Sequence, residues 1–122
     1  MADIQAISKQ FTDYYYGTFD SSRAGLAPLY RDNSMLTFEG VHTLGAQAIV
    51  DKLISLPFQS VVHKVSTHDS QPSDNNSIVI SVTGQLLIDN EQNPQFFTQT
   101  FYLKHDGSNF YVANDIFRLV YA

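Results

Sequence analysis

The chain has 122 residues, 43% hydrophobic and 13% aromatic against 16% charged, which favours one globular domain with a real core and excludes intrinsic disorder. Its net charge of −5 argues against binding a nucleic-acid backbone, and the absence of cysteine excludes disulfide scaffolds, thiolate zinc sites and cysteine nucleophiles. The opening MADIQAISKQF has no apolar segment behind a basic start, and no apolar run reaches the ~20 residues of a membrane span, so a soluble intracellular protein without membrane insertion is expected.

Ile4, Ile7, Phe11, Tyr14, Tyr15 and Phe19 recur at steps of three and four, which predicts an amphipathic helix with Gly17 near its end. Asp20-Ser21-Ser22 offers an N-cap for a second, short helix carrying Leu26, Leu29 and Tyr30, kept short by Pro28. SMLTFEG predicts a brief strand closed by Gly40. Ala46, Ile49, Val50, Leu53 and Ile54 form the apolar stripe of a third helix, which Pro57 ends.

Beyond Pro57 the period changes to two. Val61, His63, Val65 and Thr67 alternate with Val62, Lys64, Ser66 and His68, and the polar turn QPSDNNS follows. IVISVTGQLLI, FFTQTFYLKH and NFYVANDIFRLVYA complete the set, the last two joined at Asp106-Gly107. Helices followed by a run of strands imply an α+β fold, with N-terminal helices against one face of a curved antiparallel sheet. Residues 1–122 form a single domain on this basis, with no linker or repeat.

The last three strands carry large apolar side chains on both faces. Ile78, Ile80 and Val82 oppose Val79; Phe97, Phe101 and Leu103 oppose Phe96 and Tyr102; Phe110, Val112 and Ile116 oppose Tyr111, Phe117 and Leu119. One face meets the helices, and the other exceeds what a monomer usually exposes. A homodimer through a two-fold sheet interface is therefore expected, with His63, Val65, Val82, Phe101 and Ile116 as candidate interface residues. His42, His63, His68 and His105 lack metal-ligand spacing, so neither a metal nor another cofactor is expected.

The turn in LLIDNEQNPQFF holds Asp89 and Glu91 with no Lys or Arg to neutralise them. Asp89, Asn90, Asn93 and Pro94 suit a turn for backbone reasons, whereas Glu91 is not a turn former. The two carboxylates are either solvated punctuation or await a cation on a partner.

Taken in order, FTDYYYGTFD, MLTFEG, AIVDKLISLPFQ, HDSQP, GQLLIDNEQNP and NDIFRL make the chain resemble the nuclear transport factor 2 family. The resemblance implies a cone-shaped homodimeric carrier that returns the GTPase Ran, in its GDP form, to the nucleus and binds Phe-Gly repeats of nucleoporins. It also implies residence in cytoplasm and nucleus with concentration at the nuclear pore. By the same resemblance Phe38, Leu56, Val61 and Phe117 line a cavity for a Ran phenylalanine, and Glu39, Asp89 and Glu91 form its acidic rim. Ile4 stands where the family often has an aromatic that contacts Phe-Gly repeats. An enzyme is not expected. The rival assignment is Asp115 as general base, because enzymes share the cone fold and place an Asp or His in its cavity. An adaptor dimer in mRNA export is a third possibility.

Overall fold

The computed structural model describes residues 3–89 and 93–121. Helix α1 spans Ile4–Ser21, and the Asp3 carboxylate caps it by accepting from the Ala6 N–H at 3.2 Å. A 3-10 helix, Arg23–Leu29, follows, and strand β1 begins at once with Tyr30–Phe38. Tyr30 thus belongs to the strand and not, as its spacing suggests, to the short helix. Strand β2, Val41–Leu44, folds back on β1 and is absent from the sequence expectation. Helix α2 is Ala46–Ile54, with Ile49, Val50 and Leu53 buried as its stripe predicts.

Four long strands complete the chain: β3 Val61–Pro72, β4 Ile78–Ile88, β5 Gln95–His105 and β6 Phe110–Val120. The expected QPSDNNS turn begins two residues late, because Gln71 and Pro72 are still strand and pair with Val79 and Ile78 of β4. Pro72 is tolerated because β3 is an edge strand. The six-stranded sheet has the order β2-β1-β6-β5-β4-β3. Neighbours pair antiparallel except β1 and β6, which run parallel. The fold is α+β, with the helices over one face of this open sheet.

Two irregularities decide which side chains face inward. On β3 the register shifts between Val65 and Thr67, opposite Gly84. A Cβ at Gly84 would lie 2.4 Å from the Lys64 carbonyl oxygen and 2.9 Å from the Phe97 ring, so only glycine lets the strands close here. On β6 Leu103 pairs with Val112 but Tyr102 with Asn114, leaving Ala113 as a bulge. Val112 and Ala113 are both buried, and from there Asp115 and Phe117 point inward while Ile116 points out, half exposed.

These parities correct three of the interface candidates. Val82 and Phe101 are fully buried within the single chain, where Phe101 packs edge-on against Tyr15 at 4.9 Å and Phe11 at 5.3 Å. The His63 side chain is only 3% exposed and stacks on Tyr16 at 4.5 Å. None of the three is available to a second copy, because strict alternation does not say which side the helices cover. Val65 and Ile116 do remain exposed, at 41% and 51%. Across the outer face Val62 pairs with Leu87, and Phe96 lies between Gln85 and Val120, so Val62, Leu87, Phe96 and Val120 present an apolar band.

Candidate functional site

The helices and the sheet do not close completely, and a cavity of about 220 Å³ remains between them. Phe38, Leu56, Val61 and Phe117 all line it. Parallel pairing of β1 with β6 sets Phe38 beside Phe117, whose rings stack at 4.7 Å with an interplanar angle of 4°. Phe97 continues the stack behind Phe117 at 5.6 Å. Leu56-Pro57-Phe58, the segment released when Pro57 ends α2, supplies another part of the wall. Arg23 ties it down: the guanidinium donates to the Leu53 and Phe58 carbonyls, both at 3.0 Å, and lies 4.9 Å over the Phe58 ring. The sequence offers no signal for Arg23, because its partners lie 30 and 35 residues away.

Two of the expected rim acids are positioned by backbone geometry. Glu39 sits at the β1–β2 turn with φ 52°; its N–H donates to the Phe117 carbonyl at 3.1 Å and its Oε1 accepts from the Leu119 N–H. Asp89, with φ 49°, ends β4. Its Oδ1 accepts from the N–H groups of Gln59 and Ser60, at 2.9 and 2.8 Å, and its own N–H donates to the Ser60 carbonyl at 2.9 Å. Each carboxylate is thus anchored through one oxygen, yet among the described residues neither forms an ion pair. Both are held beside cavity walls, through Leu119 and Phe117 for Glu39 and through the β4 end at Ile88 for Asp89. Glu91 lies outside the described residues. Ile4 is elsewhere, in a separate groove of about 440 Å³ with Ile7, Pro72 and Phe110.

The polar side chains of the lining are Tyr15, His63 and Gln99. Tyr15 and Gln99 belong to a buried network centred on Asp115. Asp115 Oδ2 accepts from the Tyr30 hydroxyl at 2.8 Å and the Tyr15 hydroxyl at 3.2 Å, while Oδ1 accepts from Gln99 Nε2 at 2.8 Å. Gln99 Oε1 accepts in turn from the Tyr16 hydroxyl at 2.9 Å. Burial raises the Asp115 pKa to about 6, partly offset by the hydrogen bonds from Gln99, Tyr30 and Tyr15. Burial, and then the Asp115 charge, also push the Tyr15 and Tyr30 hydroxyls well above the ordinary phenol range. Asp115 does not line the cavity and both of its oxygens are occupied, an arrangement suited to locking α1, β1, β5 and β6 together and not to taking a proton from a ligand. The hydrogen-bonded pairs of the network are 15 to 100 residues apart in the chain, so no local motif announces them.

His63 Nδ1 lies 2.6 Å from Asp20 Oδ1, and its backbone N–H donates to Asp20 Oδ2 at 2.9 Å. Among the described residues no group of three or more His, Asp or Glu forms a candidate metal site, and no helix is long and apolar enough to cross a membrane.

Residues 7–119 match the family of the Nuclear transport factor 2 (NTF2) domain. The chain is 57% identical to nuclear transport factor 2 of Emericella nidulans, covering 99% of this chain and 98% of that protein. It is 55% identical to the protein of the same name from Candida glabrata, covering 98% and 97%. Among solved structures it superimposes on nuclear transport factor 2 from Cryptosporidium parvum with a TM-score of 0.91 at 42% identity, covering 96% of this chain and 94% of that one. Family model, relatives and fold agree: the chain belongs to the nuclear transport factor 2 family and is a factor of nucleocytoplasmic transport.

Proposed function

We propose that this protein is a carrier that binds Ran in its GDP form, engages Phe-Gly repeats at the nuclear pore and returns Ran to the nucleus. The observation that carries the proposal is the pairing of an apolar, phenyl-walled cavity with two anchored carboxylates that have no cationic partner among the described residues. A partner phenylalanine buried between Phe38, Leu56, Val61 and Phe117 contributes about 1.5–3 kcal/mol from area alone. Glu39 and Asp89 then meet cations flanking that phenylalanine, adding about 0.2–1 kcal/mol each where they stay wet. Desolvated, they add specificity instead, because a mismatched partner strands a charge. Glu91, two residues beyond Asp89 in the sequence, is assigned to the rim by resemblance alone.

The working unit is a homodimer joined through the outer sheet face, whose apolar band at Val62, Leu87, Phe96 and Val120 extends the role expected of Val65 and Ile116. The groove at Ile4, lined also by Ile7 and Phe110, suits a phenylalanine of a Phe-Gly repeat. The protein acts by binding, without turnover and without a cofactor; Asp115 belongs to the scaffold.

Calorimetry with Ran–GDP tests the proposal. Glu39→Gln and Asp89→Asn remove charge while keeping an oxygen for Leu119 and for Gln59 and Ser60, so the rim retains its shape. Both variants are expected to weaken Ran–GDP binding, and wild-type affinity to fall with salt. Ran–GTP is expected to bind poorly, because the γ-phosphate orders the switch regions differently. Equal binding by all three proteins, or no preference between nucleotide states, refutes it.

A further inference from the structure

The cavity is built for more than a plain hydrocarbon ring. Its lining includes His63, whose side chain is almost wholly buried and whose orientation is fixed from two sides. Asp20 holds Nδ1 at 2.6 Å, and the ring lies on Tyr16 and against the edges of Phe19 and Phe97. A carboxylate only accepts, so the hydrogen of the neutral imidazole is on Nδ1 and Nε2 presents a lone pair. Among the described residues Nε2 makes no hydrogen bond, yet it is not among the buried side-chain atoms sealed away without a partner. The cavity is the space that this ring borders.

Gln99, in the same lining, spends one amide hydrogen on Asp115 and its oxygen on Tyr16. Its second amide hydrogen has no partner among the described residues. One acceptor and one donor therefore border an otherwise apolar chamber. An apolar cavity of about 150 Å³ already accommodates benzene. At about 220 Å³ this one has room for a single ring with a small polar substituent.

We propose that the cavity binds a single-ring phenol, its ring against Phe38 and Phe117, its hydroxyl donating to His63 Nε2 and accepting from Gln99 Nε2. A hydroxyl uses both polar atoms at once, whereas a bare phenyl ring leaves each of them unsatisfied and dry. The ligand is either a free phenol or the side chain of a tyrosine. Binding needs no transport partner and stands whether or not the carrier function holds. In a cell such a phenol competes with whatever apolar side chain the cavity receives.

The test is a titration of the isotope-labelled protein, followed by NMR, with p-cresol and with toluene, the side-chain analogues of tyrosine and phenylalanine. N-acetyltyrosinamide serves as a third arm: it matches p-cresol if the mouth admits a side chain carrying backbone, and fails to bind if only free phenols enter. p-Cresol is expected to bind at least about fivefold more tightly than toluene, the effect of one net hydrogen bond. It should also shift the Nε2 nitrogen resonance of His63, which toluene leaves in place. His63→Phe keeps the stacked ring and should abolish the preference while retaining toluene binding. Leu56→Trp, which fills the chamber, should abolish both. Equal affinities, an unmoved Nε2 resonance, a preference that survives His63→Phe, or unchanged binding to Leu56→Trp each overturn the proposal. Should His63→Phe not fold, the wild-type preference and the Nε2 resonance decide it alone.

Discussion

Asp115→Asn isolates the energetic cost of the charge beneath the cavity. In the folded chain the Asp115 pKa is raised from 3.8 to about 6, with burial as the largest cause. Between those values the folded chain holds a proton there that the unfolded chain has released. Stability from this group is therefore fully present below pH 3.8 and is lost as pH rises through about 6. The difference amounts to about 3 kcal/mol when each unit is worth about 1.4 kcal/mol. Asparagine is neutral throughout and reproduces the acceptor for Tyr30 and Tyr15. Gln99 accommodates the new amide by turning over, its oxygen accepting from Asn Nδ2 while Nε2 donates to the Tyr16 hydroxyl. Urea unfolding of both proteins at one fixed protein concentration, between pH 4 and pH 7, measures the gap and cancels every other titrating group. Relative to wild type, the variant should gain about 2–3 kcal/mol on going from pH 4 to pH 7. A gap that stays constant, or one that moves the other way, refutes the account of Asp115 as a buried carboxyl paid for by desolvation.

Wild type should sediment as a dimer at micromolar concentration, and Phe96→Glu as a monomer. By two-fold symmetry each dimer loses two buried phenyl rings at about 1.5–3 kcal/mol each, so dissociation should strengthen about a hundredfold or more. Persistence of the variant dimer under the same conditions removes the outer face from consideration. Gly84→Ala should lower the denaturant midpoint by the equivalent of about 1–3 kcal/mol, since its Cβ meets the Lys64 carbonyl and the Phe97 ring. A neutral result means that β3 and β4 do not approach as closely as described.

The helices were legible because their apolar stripes are local: the three- and four-residue steps of α1 and α2 need no knowledge of what they pack against. The sheet was legible as a set of strands and illegible as a pair of faces. Alternation places His63, Val82 and Phe101 on some face, but only the position of α1 makes that face the interior. The hairpin partner β2 escaped notice because Val41–Leu44 is short and its side chains are mostly exposed. At the site, Phe38, Leu56, Val61 and Phe117 were reached by resemblance, and composition alone does not distinguish a cavity wall from filled core. Arg23, Asp20 and the partners of Asp115 were missed for a simpler reason, since each contact closes a loop of more than a dozen residues.

The extra residue at Ala113 works like a punctuation mark in a reading frame. Before it, β6 turns Val112 toward the core; after it, Asp115 and Phe117 take that direction and Ile116 and Arg118 take the other. Most core positions of this strand tolerate exchange for a side chain of similar size. Length is a different matter. If the same residues alternated strictly, every side chain beyond Ala113 would take the opposite face, setting a guanidinium where a cavity wall belongs and a phenyl ring in water. Losing the extra residue straightens the strand and leaves Phe117 facing inward, whereas gaining another without a second bulge turns Phe117 outward. Sequences that keep the chamber therefore keep the bulge together with its extra residue, or lose both, even where they keep few of the letters.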